Sequence, residues 1–392
     1  MNKEIVIVEG ARTPFAKISG LFKDIKATDL GVIAAKEAIR RSGIDASEID
    51  EVIFGNVQQS SQEAHMLARH VALKAGAKEN TPGLTVNRVC GTGIEVLIQA
   101  AKSIQLGDAE VVLAGGTENM SQVPHVIRGM RWGTPLGSPE IQDWLWDGLL
   151  DTNVGCTMAV TAENLAKQYQ LTREEIDAHA YSSHERARAN RDKLREEIVP
   201  VEVKTKKGTI LLEEDQHVRE TSMEQLAKLP ARFIEGGVVT PGNASGMVDG
   251  AAAVIVTTSD YAKKHQLRPL AKLVSYEVVG VDPTIMGIGP VPAIQGALKK
   301  ANLTIDDLDL VEINEAFSAQ YLACQKELGF DLDKANVNGG AIAIGHPLAT
   351  SGTRITYSMI LELHRRKARY AVSSACIGGG QGIASIWEAI YD

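Results

Sequence analysis

Val86-Asn87-Arg88-Val89-Cys90-Gly91-Thr92-Gly93-Ile94-Glu95-Val96-Leu97 carries the reading of the whole chain. It reads as the end of one element, a tight glycine turn around a cysteine, and the start of an apolar-periodic helix running to about Leu106. Cys90 is thereby expected at or beside a helix N-terminus, where unpaired N–H groups and the helix dipole favour negative charge. Such a setting is expected to lower the thiol pKa and make Cys90 a nucleophile. Gly91 and Gly93 are expected to leave room for a substrate to approach sulfur and backbone. For this turn taken alone, a half-buried structural cysteine is the plain alternative.

Working outward, Glu110–Gly116 reads as a buried strand ending in a glycine turn, and residues 4–9 as a strand leading into a loop. Asp29–Arg41 places Leu30, Ile33, Ala34, Ala38 and Ile39 on one helical face, closed by Ser42-Gly43. A strand over 49–57 and a helix near 63–75 follow. The last third repeats this plan. Residues 40–55 laid ungapped on 299–314 pair Ile49 with Leu308, Asp50 with Asp309 and Val52 with Val311. Asn336–Gly340 mirrors Val86-Asn87, and Tyr370–Cys376 mirrors Glu110–Gly115. A duplicated βαβ unit implies two similar halves packed together, an α/β fold. Chance likeness of two α/β segments is the alternative. The halves are expected over 1–120, with core strands continuing to about 260, and over 268–392. Between them, 121–250 breaks the repeat and is expected to be an inserted loop or cover region over a binding site.

Composition narrows the function classes. The 392 residues carry 23% charged and 44% hydrophobic side chains, as in an ordinary soluble globular protein. No apolar run approaches the roughly 18 residues a membrane span needs. A net charge of −8 argues against non-specific nucleic-acid binding. Cys90, Cys156, Cys324 and Cys376 are scattered, without zinc spacing or a disulfide pattern, so neither a metal site nor a disulfide framework is expected. The first nine residues do not read as a signal or transit peptide, and the cytoplasm is the expected location.

Three further motifs carry chemistry: Asn314-Glu315-Ala316-Phe317 at a strand end, Gly345-His346-Pro347-Leu348 in a turn before a helix, and Cys376-Ile377-Gly378-Gly379-Gly380-Gln381-Gly382. If the halves are equivalent, Cys90, Asn314, His346 and Cys376 converge near the centre. With Gly242-Asn243-Ala244-Ser245-Gly246, the chain resembles the thiolase family (acetyl-CoA C-acyltransferases) along essentially its whole length. The segment Gly287-Ile288-Gly289-Pro290-Val291-Pro292-Ala293 is similar to the mitochondrial-type branch and its bacterial relatives.

That resemblance implies a duplicated αβαβα layered fold with an inserted loop domain. It implies CoA-dependent cleavage of 3-ketoacyl-CoA to acyl-CoA and acetyl-CoA, and the reverse Claisen condensation of acetyl-CoA. Cys90 would be the acylated nucleophile, activated by His346. Cys376 would be the acid/base, and His346 with a water on Asn314 would stabilise the enolate. The N–H groups of Cys90 and Gly378 would form a second oxyanion hole. Coenzyme A, a substrate and not a cofactor, would meet Arg219, Phe233, Ala244, Ser245 and Met286, with Ala316 and Phe317 lining the thioester channel. No metal or redox cofactor is implied, and a homodimer or homotetramer is.

Two departures from the family pattern stand out. Ala349-Thr350 follows His346-Pro347-Leu348 where a glycine is common, and is expected to add bulk near the imidazole. Thr157 stands where the short-chain biosynthetic members carry a His, which leans towards broader 3-ketoacyl-CoA specificity. Rival readings are a short-chain-only acetyl-CoA acetyltransferase, a silent CoA- or lipid-binding relative, and a thiol redox protein using Cys90 and Cys376. A ketoacyl synthase would place a His at Asn314.

Overall fold

A computed structural model describes residues 3–391; Met1, Asn2 and Asp392, at the outer bounds of the expected halves, lie outside the described residues. The core strands are β1 (Ile5–Arg12), β2 (Glu51–Gly55), β3 (Gly83–Val86), β4 (Val112–Glu118), β5 (Val248–Thr258), β6 (Ala271–Gly280), β7 (Leu310–Ile313), β8 (Tyr370–Ile377) and β9 (Gln381–Ala389). They form one path in the order β7-β8-β9-β6-β1-β5-β4-β2-β3, with the short strand Ala16–Lys17 paired to β5. The main helices are α1 (Ala27–Ser42), α2 (Leu67–Ala75), α3 (Thr92–Leu106), α4 (Met158–Gln168), α5 (Arg173–Ala189), α6 (Arg191–Glu197), α7 (Pro290–Ala301), α8 (Ser318–Leu328) and α9 (Leu348–Arg366).

The strand order is itself a repeat. Outward from the β1–β6 junction run β5, β4, β2 on one side and β9, β8, β7 on the other. In both halves the last two are parallel and the remaining pairs antiparallel. The junction is narrow, with Val6 opposite Lys272 and Ile7 opposite Ala271. Local chemistry repeats at a fixed interval of 259 positions. Gly43 and Asn302 both end a helix in the left-handed conformation, at φ 75° and 55°. Asp45 with Glu48, and Thr304 with Asp307, make matching capping boxes. Asp50 accepts the Glu110 and Val111 N–H groups; Asp309 accepts those of Arg369 and Tyr370. Val111, not Glu110, is therefore the counterpart of Tyr370, one residue from the expected alignment.

Apolar periodicity sorts the helices into layers. Leu30, Ala34, Ala38 and Ile39 of α1 pack with α2 against one face of the first half. Val291, Ile294, Ala297 and Leu298 of α7 cover the opposite outer face of the second half. Between the two half-sheets lie α3 and α9, buried along most of their length and packed on each other. The order is thus helix, sheet, helix, sheet, helix.

The central helices meet at Gly93 and Gly352, also 259 positions apart. A Cβ on Gly93 would lie 2.7 Å from the Gly352 nitrogen, and one on Gly352 would strike the Ile94 nitrogen. Gly93 is needed for this helix contact, and not for substrate approach as expected. Gly91 likewise abuts Ile377 and Ile383. Both glycines are close-packing positions.

The stretch between the halves holds α4, α5, α6, several two-residue strands and a hairpin of Val201–Thr205 with Gly208–Leu212. Core strand β5 begins at Val248, inside the stretch read as the insertion. Buried ion pairs of Arg12 with Glu197 and Asp215, both 2.7 Å, tie this region to β1. No helix among the described residues is long and apolar enough to cross a membrane.

Replacing Gly93 with Ala is expected to cost about 1–3 kcal/mol or more, because the obstructing atoms are backbone. Thermal unfolding checks this, with Leu106→Ala, 79% exposed at the end of α3, as the near-neutral control.

Candidate active site

Each expected catalytic side chain occupies the end of a duplicated element. Cys90 immediately precedes Gly91, the N-cap of α3, and is 7% exposed. The residue before it, Val89, has φ 44°, a left-handed conformation unfavourable for a β-branched side chain. The turn is pinned: Arg88 N–H donates to Thr92 Oγ1 (2.7 Å), Thr92 O–H donates to the Val89 carbonyl (2.7 Å), and Val89 N–H donates to Asn87 Oδ1 (2.9 Å). His346 stands two residues before Leu348, where α9 begins, after Gly345 at φ 105°. The Gly93–Gly352 crossing sets these two helix starts side by side, and Leu348 packs with Met120 on Cys90.

Cys376 is fully buried near the end of β8, among Met286, Ala316, Met158 and Phe317. Two residues on, Gly378 aims its backbone N–H at the Cys90 sulfur, which the Cys90 N–H also reaches. The two thiols therefore belong to one site.

Its electrostatics differ from the sequence expectation for the nucleophile. Burial pushes the Cys90 thiol up to about 11; the N–H groups of Gly378 and Cys90 oppose this shift, and the Glu118 carboxylate adds to it. Desolvation of a nearly enclosed thiolate outweighs the helix N-terminus. Burial, then the charges of Cys90 and Cys324, hold Cys376 well above the ordinary thiol range. His346 is displaced the other way, down to about 3, by burial and then by the Arg354 guanidinium. Burial thus disfavours the charged form of all three groups.

Hydrogen bonds assign the imidazole tautomer. His346 Nδ1 lies 2.6 Å from Ser351 Oγ, which donates to the Pro347 carbonyl (3.2 Å). Nδ1 therefore carries the proton. Nε2, 3.3 Å from Asn314 Nδ2, keeps its lone pair and can accept a proton. Ser351 was not singled out in the sequence: it looks like an ordinary serine in a helix, and only the first-turn spacing from His346 signals it.

Backbone hydrogen bonds join the other motifs. His346 N–H donates to the Gly246 carbonyl (2.8 Å), Ser245 N–H to Ala316 (3.0 Å) and Ser318 N–H to Asn243 (2.9 Å). Ala244 and Phe317 form a bridge. Phe233 packs in the apolar group that includes Phe317, Ala159 and Val239. Phe233, Ala244, Ser245, Met286, Ala316 and Phe317 thus gather beside Cys376 into an apolar wall. Arg219 is exposed, on the rim of a surface cavity of about 360 Å³ shared with Arg188, Arg191 and Glu214. It approaches the wall through His217, two residues earlier, which lies against Gly246.

Both departures have structural explanations. Ala349 points at Gly55, where an added Cβ would lie 3.4 Å from its own, and so does not crowd His346 as expected. Thr157 is the N-cap of α4, accepting the Val160 N–H (3.4 Å). Cys324 is buried and donates to the Gly287 carbonyl (3.3 Å), a packing role. Half-buried Cys156 shows only a 3.8 Å contact to the Val154 carbonyl.

Because the folded His346 stays neutral while the unfolded one titrates near the ordinary 6.5, its burial costs stability progressively as pH falls below that value. Alkylation of Cys90 by iodoacetamide is expected to show no inflection near pH 6.5; one there would mean an ordinary, exposed imidazole. Ser351→Ala, which removes the acceptor that fixes the tautomer, is expected to slow Cys90-dependent turnover by roughly 10-fold or more. Steady-state kinetics on the folded variant checks this.

Family models for the thiolase N-terminal domain match residues 5–260 and for the thiolase C-terminal domain residues 267–389. The chain is 53% identical over 389 residues to a mitochondrial 3-ketoacyl-CoA thiolase of Homo sapiens, covering 98% of both. It is 45% identical over 397 residues to an acetyl-CoA acetyltransferase of Syntrophomonas wolfei, covering both fully. The crystal structure of human mitochondrial 3-ketoacyl-CoA thiolase superposes with a TM-score of 0.97 at 52% identity, over 99% of each chain. A further structure of that human enzyme, in complex with CoA, gives 0.96. Family models that together span almost the whole chain, whole-length identity and close superposition lead to one conclusion: the chain belongs to the thiolase family.

Proposed function

We propose that this enzyme cleaves 3-ketoacyl-CoA with CoA to give acyl-CoA and acetyl-CoA, and runs the reverse condensation, through an acyl group on Cys90. The carrying observation is that the Gly378 N–H, two residues past Cys376, reaches the Cys90 sulfur, so a nucleophile and an acid share one buried site. Cys90 attacks the 3-keto carbon while His346 Nε2 takes the thiol proton. The bond between C2 and C3 breaks, its electron pair passes into the acetyl-CoA enolate, and Cys376 protonates that carbon. In the second half, the CoA thiol gives its proton to the Cys376 thiolate and attacks the acyl group. Cys90 leaves and regains its proton from His346. The N–H groups of Gly378 and Cys90 suit the oxyanion on the attacked carbon, and Asn314 with His346 suits the enolate oxygen.

Charges appear only during the reaction, in a buried site, so the donors act at low dielectric. The Phe233, Ala244, Ser245, Met286, Ala316 and Phe317 wall suits a long, largely apolar pantetheine, and Arg219 a phosphate at the outer end. These steps call on no metal or redox group. Four unpaired cysteines fit a reducing compartment such as the cytoplasm.

The same reading includes a homo-oligomer. Edge strand β3 leaves Leu84 45% exposed, and Trp132, Leu136, Ile141 and Trp146 are exposed on the 127–150 segment. Light scattering after size exclusion is expected to give a dimer or tetramer; a monomer would contradict it.

Purified protein is expected to thiolyse both acetoacetyl-CoA and 3-ketooctanoyl-CoA, and Cys90→Ala to abolish both. Turnover of acetoacetyl-CoA alone would make it a short-chain acetyl-CoA acetyltransferase. No Cys90-dependent turnover of either would contradict the proposal.

A further inference from the structure

We propose that Glu118 is a positioning residue of this site, fastening the first turn of α9 and the 56–58 loop around Cys90 and so fixing where His346 stands. The inference rests on the thiolase reading and deepens it. Glu118 is the last residue of β4 and is fully buried. One carboxyl oxygen accepts the N–H groups of Ala349 (3.1 Å) and Val57 (3.2 Å). The other accepts the Gln58 N–H (2.8 Å) and the Asn56 side-chain amide (3.2 Å). Ala349 lies in the turn of α9 that follows His346, so the carboxyl caps that helix from another strand. Val57, Leu348 and Met120, which the same contacts hold or which follow two residues on, are among the apolar side chains clustered with Cys90.

The duplication shows that the fold does not require this group. The counterpart of Glu118, 259 positions on, is Ile377, which also touches the start of the opposite central helix, at Gly91. An apolar contact suffices there. On the Cys90 side the same position carries a carboxyl and receives four donors.

Its charge also bears on the nucleophile. Burial pushes Glu118 up to about 8, against the N–H groups that stabilise its anion and aided by Asp249. Its carboxylate in turn opposes the Cys90 thiolate. Of the ionisable groups on the elements packed around it, Asp249 of β5 and Cys90 beside α3 are the ones whose charge couples to it; the 56–58 loop brings none.

Glu118→Gln and Glu118→Ala in the full chain test this, with thermal unfolding confirming the fold. With acetoacetyl-CoA, Glu118→Ala is expected to lower kcat by roughly 10- to 100-fold with KM for CoA unchanged, the size expected when buried donors lose their acceptor. Glu118→Gln, keeping one carbonyl acceptor, is expected to recover part of that loss. In both variants the pH midpoint of Cys90 alkylation by iodoacetamide is expected to shift downwards, since an opposing charge is gone. An unchanged kcat in a folded variant would overturn the proposal, and so would a fall in kcat with an unmoved alkylation profile, which would mark a merely structural contact. If Glu118→Ala does not fold, Glu118→Gln decides. Should the parent protein show no Cys90-dependent turnover, the thiolase reading fails, while the alkylation profiles still report whether Glu118 governs Cys90.

Discussion

The contact between Gly93 and Gly352 is the constraint on which the rest depends. Two helices buried between two half-sheets can cross this closely only where both lack a Cβ. Because the crossing lies one residue beyond the start of α3 and four beyond that of α9, both N-termini and the loops feeding them are forced together. The turn carrying the thiol of one half is thereby packed on the start of α9 in the other, where Leu348 meets Cys90. Cys376 follows from the same plan, since β8 ends where its counterpart β4 ends, beside the start of the opposite central helix.

That placement has an electrostatic consequence. A site between two central helices is buried, and burial penalises charge. Cys90 and Cys376 are held protonated and His346 is held neutral. On the proposed route the thiol proton therefore moves as Cys90 attacks. Ser351, itself bonded to the Pro347 carbonyl, completes this logic: a neutral acceptor behind Nδ1 fixes the tautomer without adding a charge that would draw a proton onto Nε2.

Much of this was legible in the sequence, for local reasons. The repeat showed because helix ends, capping boxes and strand-anchoring aspartates are short-range signals that recur without gaps between 40–55 and 299–314. Cys90, His346 and Cys376 showed because each lies at an element end among glycines or prolines, and Asn314 because it follows a short apolar strand. What escaped were properties set by distant partners. Gly91 and Gly93 serve packing against Ile377 and Gly352, which no local pattern reveals. The direction of the Cys90 shift depends on enclosure by Met120, Leu348 and Val57, far apart in the chain. Ala349 is harmless to His346 because Gly55 leaves space on the sheet. Glu118 and Ser351 looked ordinary because their partners lie across the fold or hide within one helical turn.

The most direct test of the account is to incubate the protein with acetyl-CoA, quench with acid, and locate the acetyl group by peptide mass spectrometry. One acetyl group per chain, on the peptide bearing Cys90 and removed by added CoA, is the predicted result. Acetylation of Cys376 instead, or none on either thiol, would contradict an acyl-enzyme built where the two central helices begin.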